Sequence, residues 1–243
     1  MEAIRYKRLL NFQNLHRIGD DLLGLFYPRC CLECGRQLLP DAEVLCHVCL
    51  TELPKCGFTD SAGNRLEEMF YGRARIEAAT SYLYFKKHGI VQRMMHLLKY
   101  RSRQDNGTWI GEALAIEMSG SGRFASIDLV IPVPLHPKKK RKRGYNQVSR
   151  FGQTLADQLE VAWKENVLKR NRKGKSLTGK SRIDRNESMK DAFSLTSSID
   201  VEGKHILLVD DIITSGATLE ACAQKLLNLP GTRVSLASMA FTL

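Results

Sequence analysis

The sequence predicts an α/β fold, a parallel sheet flanked by helices, with a small zinc-binding module ahead of it. Three observations predict this. Two C-x-x-C pairs lie close together near the start, apolar strand-like runs alternate with helix-period segments from Ile127 onward, and an apolar run ends in two adjacent carboxylates followed by a loop of small residues.

The 243 residues suffice for one good-sized domain with an appendage, read here as 1–58 and 59–243. Thirty-seven basic residues against 26 acidic give a net charge of +11, which calls for an anionic partner, nucleic acid or a phosphorylated small molecule. The first 28 residues carry Leu9, Phe12, Leu15, Ile18, Leu22 and Leu25 at helical spacing between charges, an amphipathic helix and not a signal peptide. No run approaches the length of a membrane span. The expected location is therefore the cytoplasm, without membrane insertion, where thiols stay reduced and clustered cysteines bind metal.

Six of the seven cysteines fall between positions 30 and 56. Cys31 with Cys34 and Cys46 with Cys49 form two C-x-x-C turns eleven residues apart, the spacing of a closed structural Zn²⁺ site. Cys30, His47 and Cys56 are near enough to exchange into the ligand set, and free buried thiols or a redox pair are the alternative. Cys222 reads as core.

The stretch 59–75 is polar and glycine-punctuated, a linker by composition. Residues 78–85 (AATSYLYF) read as a strand and 90–100 (IVQRMMHLLKY) as a helix, with Met94, Met95 and Leu98 in the core. IDLVIPVPLH from Ile127 is a buried strand running into a turn. Val148, Phe151, Leu155, Leu159 and Ala162 recur at helical spacing, HILLVDDI is a second buried strand, 218–229 a helix, and TRVSLASMAFTL a last strand. Such alternation implies a parallel sheet, whose ligands bind at the carboxyl ends of its strands.

At one such end stand Asp210 and Asp211, then Thr214, Ser215, Gly216, Ala217 and Thr218 before a helix. Small residues leading into a helix N-terminus offer backbone N–H groups, hydroxyls and the positive end of the helix dipole, a phosphate site. The lysine of a nucleotide triphosphatase loop is missing, and no G-x-G-x-x-G is present. Two carboxylates beside a phosphate are accounted for by a ribose between them, whose hydroxyls donate to Asp210 and Asp211 while its 5′-phosphate occupies the loop.

VDDIITSGAT resembles the phosphoribosyl pyrophosphate (PRPP) motif of type I phosphoribosyltransferases. Together with the four-cysteine ribbon and VIPVPLHPKKKRKRGYNQ, the chain is similar to the ComF family, phosphoribosyltransferase-like proteins associated with DNA uptake. The resemblance implies a type I phosphoribosyltransferase-like sheet and places Leu135, His136 and Arg143 at the pyrophosphate of PRPP. It also singles out Gly144, Tyr145, Asn146 and Gln147 of the family's R-G-[FY]-N-Q. The cation run from Lys138 to Arg143 has a second reading, backbone contact with single-stranded or duplex DNA through Lys138, Lys139 and Lys140, and a third as a solvated surface.

Residues 169–193 resemble the mobile loop that closes over PRPP, with Lys175, Lys180 and Arg185 in it. Arg185, Ala192 and Phe193 fit R-x-x-N-x-x-x-A-F, although Ser188 replaces the Asn and Leu177 stands where a Gln is common. The implied reaction is displacement at the ribose anomeric carbon, assisted by Mg²⁺ on the pyrophosphate, with Asp210, Asp211 and Arg143 as catalytic groups and an unspecified acceptor. The alternative is a DNA-handling protein with a retained PRPP sensor site, working with other DNA-uptake proteins.

Overall fold

The structure is a computed structural model describing residues 29–100, 105–171, 192–196 and 201–242, the side chains of 99, 100, 105, 139, 142 and 143 excepted. The amphipathic segment expected over 1–28 lies outside these residues. The chain divides into two compact units between Glu52 and Leu53.

In the first unit, the Cys31 N–H donates to Arg36 O at 2.7 Å and the Gly35 N–H returns to Cys31 O at 3.0 Å. Gly35 has φ +72°, which lets this tight turn close at no steric cost. Helix α1 (His47–Thr51) starts directly after Cys46 and buries Cys49. Leu38, Ala42, Val44 and Leu45 supply a small core beside Cys31 and Cys49.

Residues 53–58, grouped with the ribbon in the sequence reading, run with the second unit: the Cys56 N–H donates to Tyr82 O and the Tyr84 N–H to Pro54 O. The stretch 59–75 is not a linker. Asn64 caps helix α2 (Arg65–Glu68), its Oδ1 accepting from the N–H groups of Leu66 and Glu67. Leu66 and Phe70 are fully buried. The buried Glu67 carboxylate accepts from the Gly63 and Ala79 N–H groups and pairs with Arg123, whose guanidinium also donates to Ser61 O. The polar composition that reads as linker is thus the capping and pairing chemistry of a short buried turn.

Strands β1 (Ala79–Phe85), β2 (Leu129–Pro132), β3 (Ala162–Trp163), β6 (His205–Ile213) and β7 (Arg233–Thr242) form a parallel sheet in the order β1-β7-β6-β2-β3. Helices α3 (Ile90–Tyr100) and α4 (Asp105–Ser119) connect β1 to β2. Nothing in the sequence reading anticipated α4. It packs on α6 (Val148–Gln158) through Gly111, where a Cβ would fall 2.9 Å from Thr154 Cβ. Ala162, counted with α6 by spacing, belongs to β3, because the chain turns at Glu160 with φ +55° and the Trp163 ring lies over Gly152. Two short strands, β4 (Leu168–Arg170) and β5 (Phe193–Leu195), pair antiparallel beside the sheet.

Along β6 the side chains alternate between two covered faces. Ile206 and Leu208 share a cluster with Leu219, Cys222, Ala223 and Leu226 of α7 (Ala217–Leu227), whereas Val209 lies against Gly152 of α6. From β2 the chain passes through α6 to β3 on one side, and from β6 through α7 to β7 on the other. The adjacent carboxyl ends of β2 and β6 are therefore the point where the connections diverge, where doubly wound sheets open a crevice for ligands. Among the described residues no helix is long and apolar enough to cross a membrane.

Candidate functional site

The crevice between β2 and β6 is lined by Val133, Pro134 and Leu135 after β2, Asn146, Gln147 and Val148 at the start of α6, Arg170 at the end of β4, and Asp210, Asp211, Ile212 and Thr218. Strand alternation sends the two carboxylates to different neighbours. Asp211 accepts a 2.9 Å hydrogen bond from Gln147 Nε2, on the α6 side. Asp210 is on the α7 side, close enough to the Cys222 thiol to push it up, second only to burial. Each carboxylate also accepts a backbone N–H, Asp210 from Asp211 and Asp211 from Ile212, which directs both toward the end of the strand.

Asp210, Thr214, Ser215, Gly216, Ala217 and Thr218 surround a second, smaller cavity of about 40 Å³ in front of α7. Gly216 is the N-cap, with φ +71°, and a Cβ there would meet Met69 Sδ at 2.9 Å and Phe70 Cζ at 3.0 Å. The turn after α2 thus sets the loop from beneath. Arg73 in the same segment binds Glu220 of α7 through Nε and Nη2 at 2.9 and 2.6 Å, and Gln224 donates to Arg73 O. Sequence reasoning missed this support because its two halves are far apart in the chain.

Leu135 is among the residues that line the crevice and His136 is not. His136 caps α5 (Pro137–Arg143), its Nδ1 accepting from the Lys138 N–H at 3.2 Å. The side chain of Arg143 is outside the described residues, as is that of Lys139. Lys138 and Arg141 are exposed, and Lys140 reaches Glu165 at 3.5 Å. The motif that follows has work in the fold. Tyr145 donates its hydroxyl to Leu98 O, Asn146 ties its Nδ2 to Val133 O at 3.1 Å, and Gln147 orients Asp211. Lys175, Lys180 and Arg185 lie outside the described residues. Arg170, which sequence reading passed over, lines the crevice, and its guanidinium lies 5.3 Å from the centre of the Phe193 ring. A cation and an aromatic at the two ends of the polar segment 171–192 were the available signal.

In the first unit the sulfurs of Cys31, Cys34, Cys46 and Cys49 all lie within 4.8 Å of one another, and no other described group of metal-binding side chains converges in this way. Cys34 Sγ and Cys46 Sγ are 3.7 Å apart, the edge of a tetrahedron with metal–sulfur distances of about 2.3 Å. Burial raises the Cys31 thiol, but the N–H groups of Cys34, Cys46 and Glu33 outweigh it and bring the pKa down to about 6. Cys49 is pushed up by burial and by the three neighbouring sulfurs. Four thiols that resist ionising together are the donor set a divalent soft cation compensates, so the residues fit zinc. Of the alternatives, His47 pairs with Asp41 at 3.1 Å, and burial pushes the Cys56 thiol up to about 12 within the second unit.

A family model, the phosphoribosyl transferase domain, matches residues 83–241. Competence protein F of Haemophilus influenzae is 27% identical over 82% of this chain and 91% of its own length. DNA utilization protein YhgH of Escherichia coli O157:H7 is 29% identical over 62% of this chain, which spans 66% of that protein. Adenine phosphoribosyltransferase from Saccharomyces cerevisiae, solved with adenine and an imino-altritol bisphosphate, is 18% identical over 65% of this chain and 70% of its own, with a TM-score of 0.33. The crevice at the switch point, the small-residue loop before α7 and the matched residues agree: the chain belongs to the phosphoribosyl transferase domain family and has among its relatives competence protein F.

Proposed function

We propose that the protein binds PRPP and transfers its phosphoribosyl group to an acceptor, releasing pyrophosphate. The observation that carries this is the separation of Asp210 and Asp211 onto two sides of β6 directly before the loop 214–218. The loop takes the 5′-phosphate on backbone N–H groups and hydroxyls at the N-terminus of an eleven-residue helix. The carboxylates take the 2′ and 3′ hydroxyls, and the pyrophosphate lies toward Leu135 and Arg143. The bond from the anomeric carbon to the pyrophosphate oxygen breaks with its electron pair, and the acceptor's lone pair forms the new bond. One of the paired carboxylates then takes the acceptor's proton. Fixing the sugar hydroxyls while the ring becomes cation-like is what the carboxylates contribute. The hard oxygens of Asp210 and Asp211 suit Mg²⁺ bound with PRPP, which neutralises leaving-group charge when present.

Calorimetric titration of PRPP with Mg²⁺ into wild type and Asp210→Asn/Asp211→Asn, with pyrophosphate release followed in parallel in the presence of nitrogenous bases as acceptors, tests this. Binding abolished by the double substitution, with pyrophosphate released by wild type, is the expected result. Binding without release leaves a sensor, and no binding by wild type overturns the reading.

A second reading has its own observation. Helix α5 is made almost wholly of cations, with Lys138, Lys140 and Arg141 exposed, and the relatives are named for competence and DNA utilization. A single-stranded DNA backbone on α5 predicts that Lys138→Ala/Lys140→Ala/Arg141→Ala flattens the salt dependence of binding by about 0.7 for each phosphate no longer neutralised. An unchanged slope returns α5 to a solvated surface.

A further inference from the structure

Helix α7, whose N-terminus faces the loop 214–218, carries a carboxylate in its first turn, Glu220. The Glu220 N–H closes that turn onto Gly216 O at 2.8 Å. Side chains of a helix lean toward its N-terminus, so Glu220 is carried back toward the end where a phosphate has to bind. A carboxylate in this position satisfies the helix dipole by itself and repels an incoming phosphate.

The fold does not leave this charge alone. Arg73 Nε and Nη2 both donate to Glu220 Oε2, at 2.9 and 2.6 Å, and Gln224 Nε2 donates to Glu220 Oε1 at 3.4 Å. The guanidinium is fixed from its other side as well. Its Nη1 donates to Met69 O at 3.1 Å, and its Cζ lies 5.7 Å from the centre of the Phe70 ring. Met69 and Phe70 are the two residues that pack beneath Gly216, so the cation and the loop share one support. The Arg73 and Glu220 side chains are 33% and 24% exposed, sheltered enough for their charges to act on each other and on the loop with reduced screening. Ion pairs near a surface add little to stability, and an apolar contact would fasten the turn to α7 equally well. What a pair adds here is the cancelling of a charge.

We infer that Arg73 is a positioning residue of the phosphate loop: it holds and neutralises Glu220, so that the first turn of α7 offers a 5′-phosphate its N–H groups without an opposing carboxylate. The inference rests on the PRPP reading above, which seats that phosphate in the loop.

The experiment titrates ribose 5-phosphate, and PRPP with Mg²⁺, by calorimetry into wild type, Arg73→Met, Glu220→Gln and Arg73→Met/Glu220→Gln, with a thermal melt of each protein. Arg73→Met keeps an apolar stem on the Phe70 ring and leaves Glu220 uncompensated. It is expected to weaken both ligands by about 5- to 20-fold, the size of one uncompensated charge in the first turn of the helix. Glu220→Gln is expected to bind both at least as tightly as wild type. The double variant, which lacks the ion pair altogether, is expected to return to within about threefold of wild type. A purely mechanical tie between the turn and α7 would lose binding with either partner and would not recover in the double variant. Equal losses in Arg73→Met and Glu220→Gln, or a double variant as weak as Arg73→Met, therefore overturn the inference while leaving PRPP binding by wild type intact. Wild type that binds neither ligand overturns the PRPP reading and the inference with it.

Discussion

Gln147 Nε2 donates to Asp211 Oδ2 at 2.9 Å, joining the N-cap of α6 to the end of β6. Gln147 is buried, so the bond is sheltered from water, and it holds the carboxylate on the side of the sheet away from Asp210. Removing it takes away one of the bonds that orient the Asp211 carboxylate and leaves the Ile212 N–H bond and the loop in place. Gln147→Leu is expected to weaken PRPP binding about 10- to 100-fold, the worth of one buried hydrogen bond to a charged group. Gln147→Glu, which sets a like charge against Asp211, weakens it further. Calorimetry on both variants checks the order, and a Leu variant with wild-type affinity would show that Asp211 needs no orientation.

The loop before α7 depends on a single glycine for two reasons. Gly216 has φ +71°, and its missing Cβ leaves room for Met69 and Phe70. Gly216→Ala is expected to cost about 1–3 kcal/mol in stability and to reduce phosphate binding in the same variant. Gly216→Ala/Met69→Ala restores space but not the backbone preference, so part of the loss remains. Thermal melts of the two variants separate the contributions.

How far this site could be read from sequence follows from which interactions are local. β6 and its loop were legible because HILLV, the paired aspartates and TSGAT are contiguous, and the strand's burial makes its apolar run nearly unbroken. The supports of the site were not, since Phe70 beneath Gly216, Arg73 on Glu220 and Gln147 on Asp211 each join distant parts of the chain. His136, placed at the pyrophosphate by resemblance, also has a local role no resemblance conveys, its ring Nδ1 capping α5. The polar stretch 59–75 misled because composition does not distinguish a solvated linker from a turn whose polar groups are spent internally, as Asn64 and Glu67 are.

The ribbon's prediction concerns stoichiometry. Purified protein is expected to carry about one zinc per chain through Cys31, Cys34, Cys46 and Cys49. Cys31→Ser and Cys49→Ser lose the metal, while Cys30→Ser and Cys56→Ser keep it. Strong chelation releases the metal and unfolds the first unit, because a small core of this kind draws its folding free energy from the ion. Metal analysis of the four variants, with proteolysis before and after chelation, checks both statements.

His205 opens β6 and is 1% exposed, its Nδ1 against Ser126 and its Nε2 2.9 Å from the Ser235 hydroxyl. Burial first, and Arg233 next, lower its pKa below the usual histidine value. The folded state therefore holds the ring neutral, while the unfolded chain takes up a proton as the pH falls through about 6.5. The contribution of His205 is complete above that value and is lost as the pH drops from there through the lower folded-state pKa. Melting temperature is expected to fall across this window, and His205→Gln, which retains polar contacts but does not titrate there, to fall less. The quantity to measure is the difference between the two proteins at about pH 7.5 and about pH 5.5. A difference that does not change with pH would mean that the ring is not held neutral by its burial.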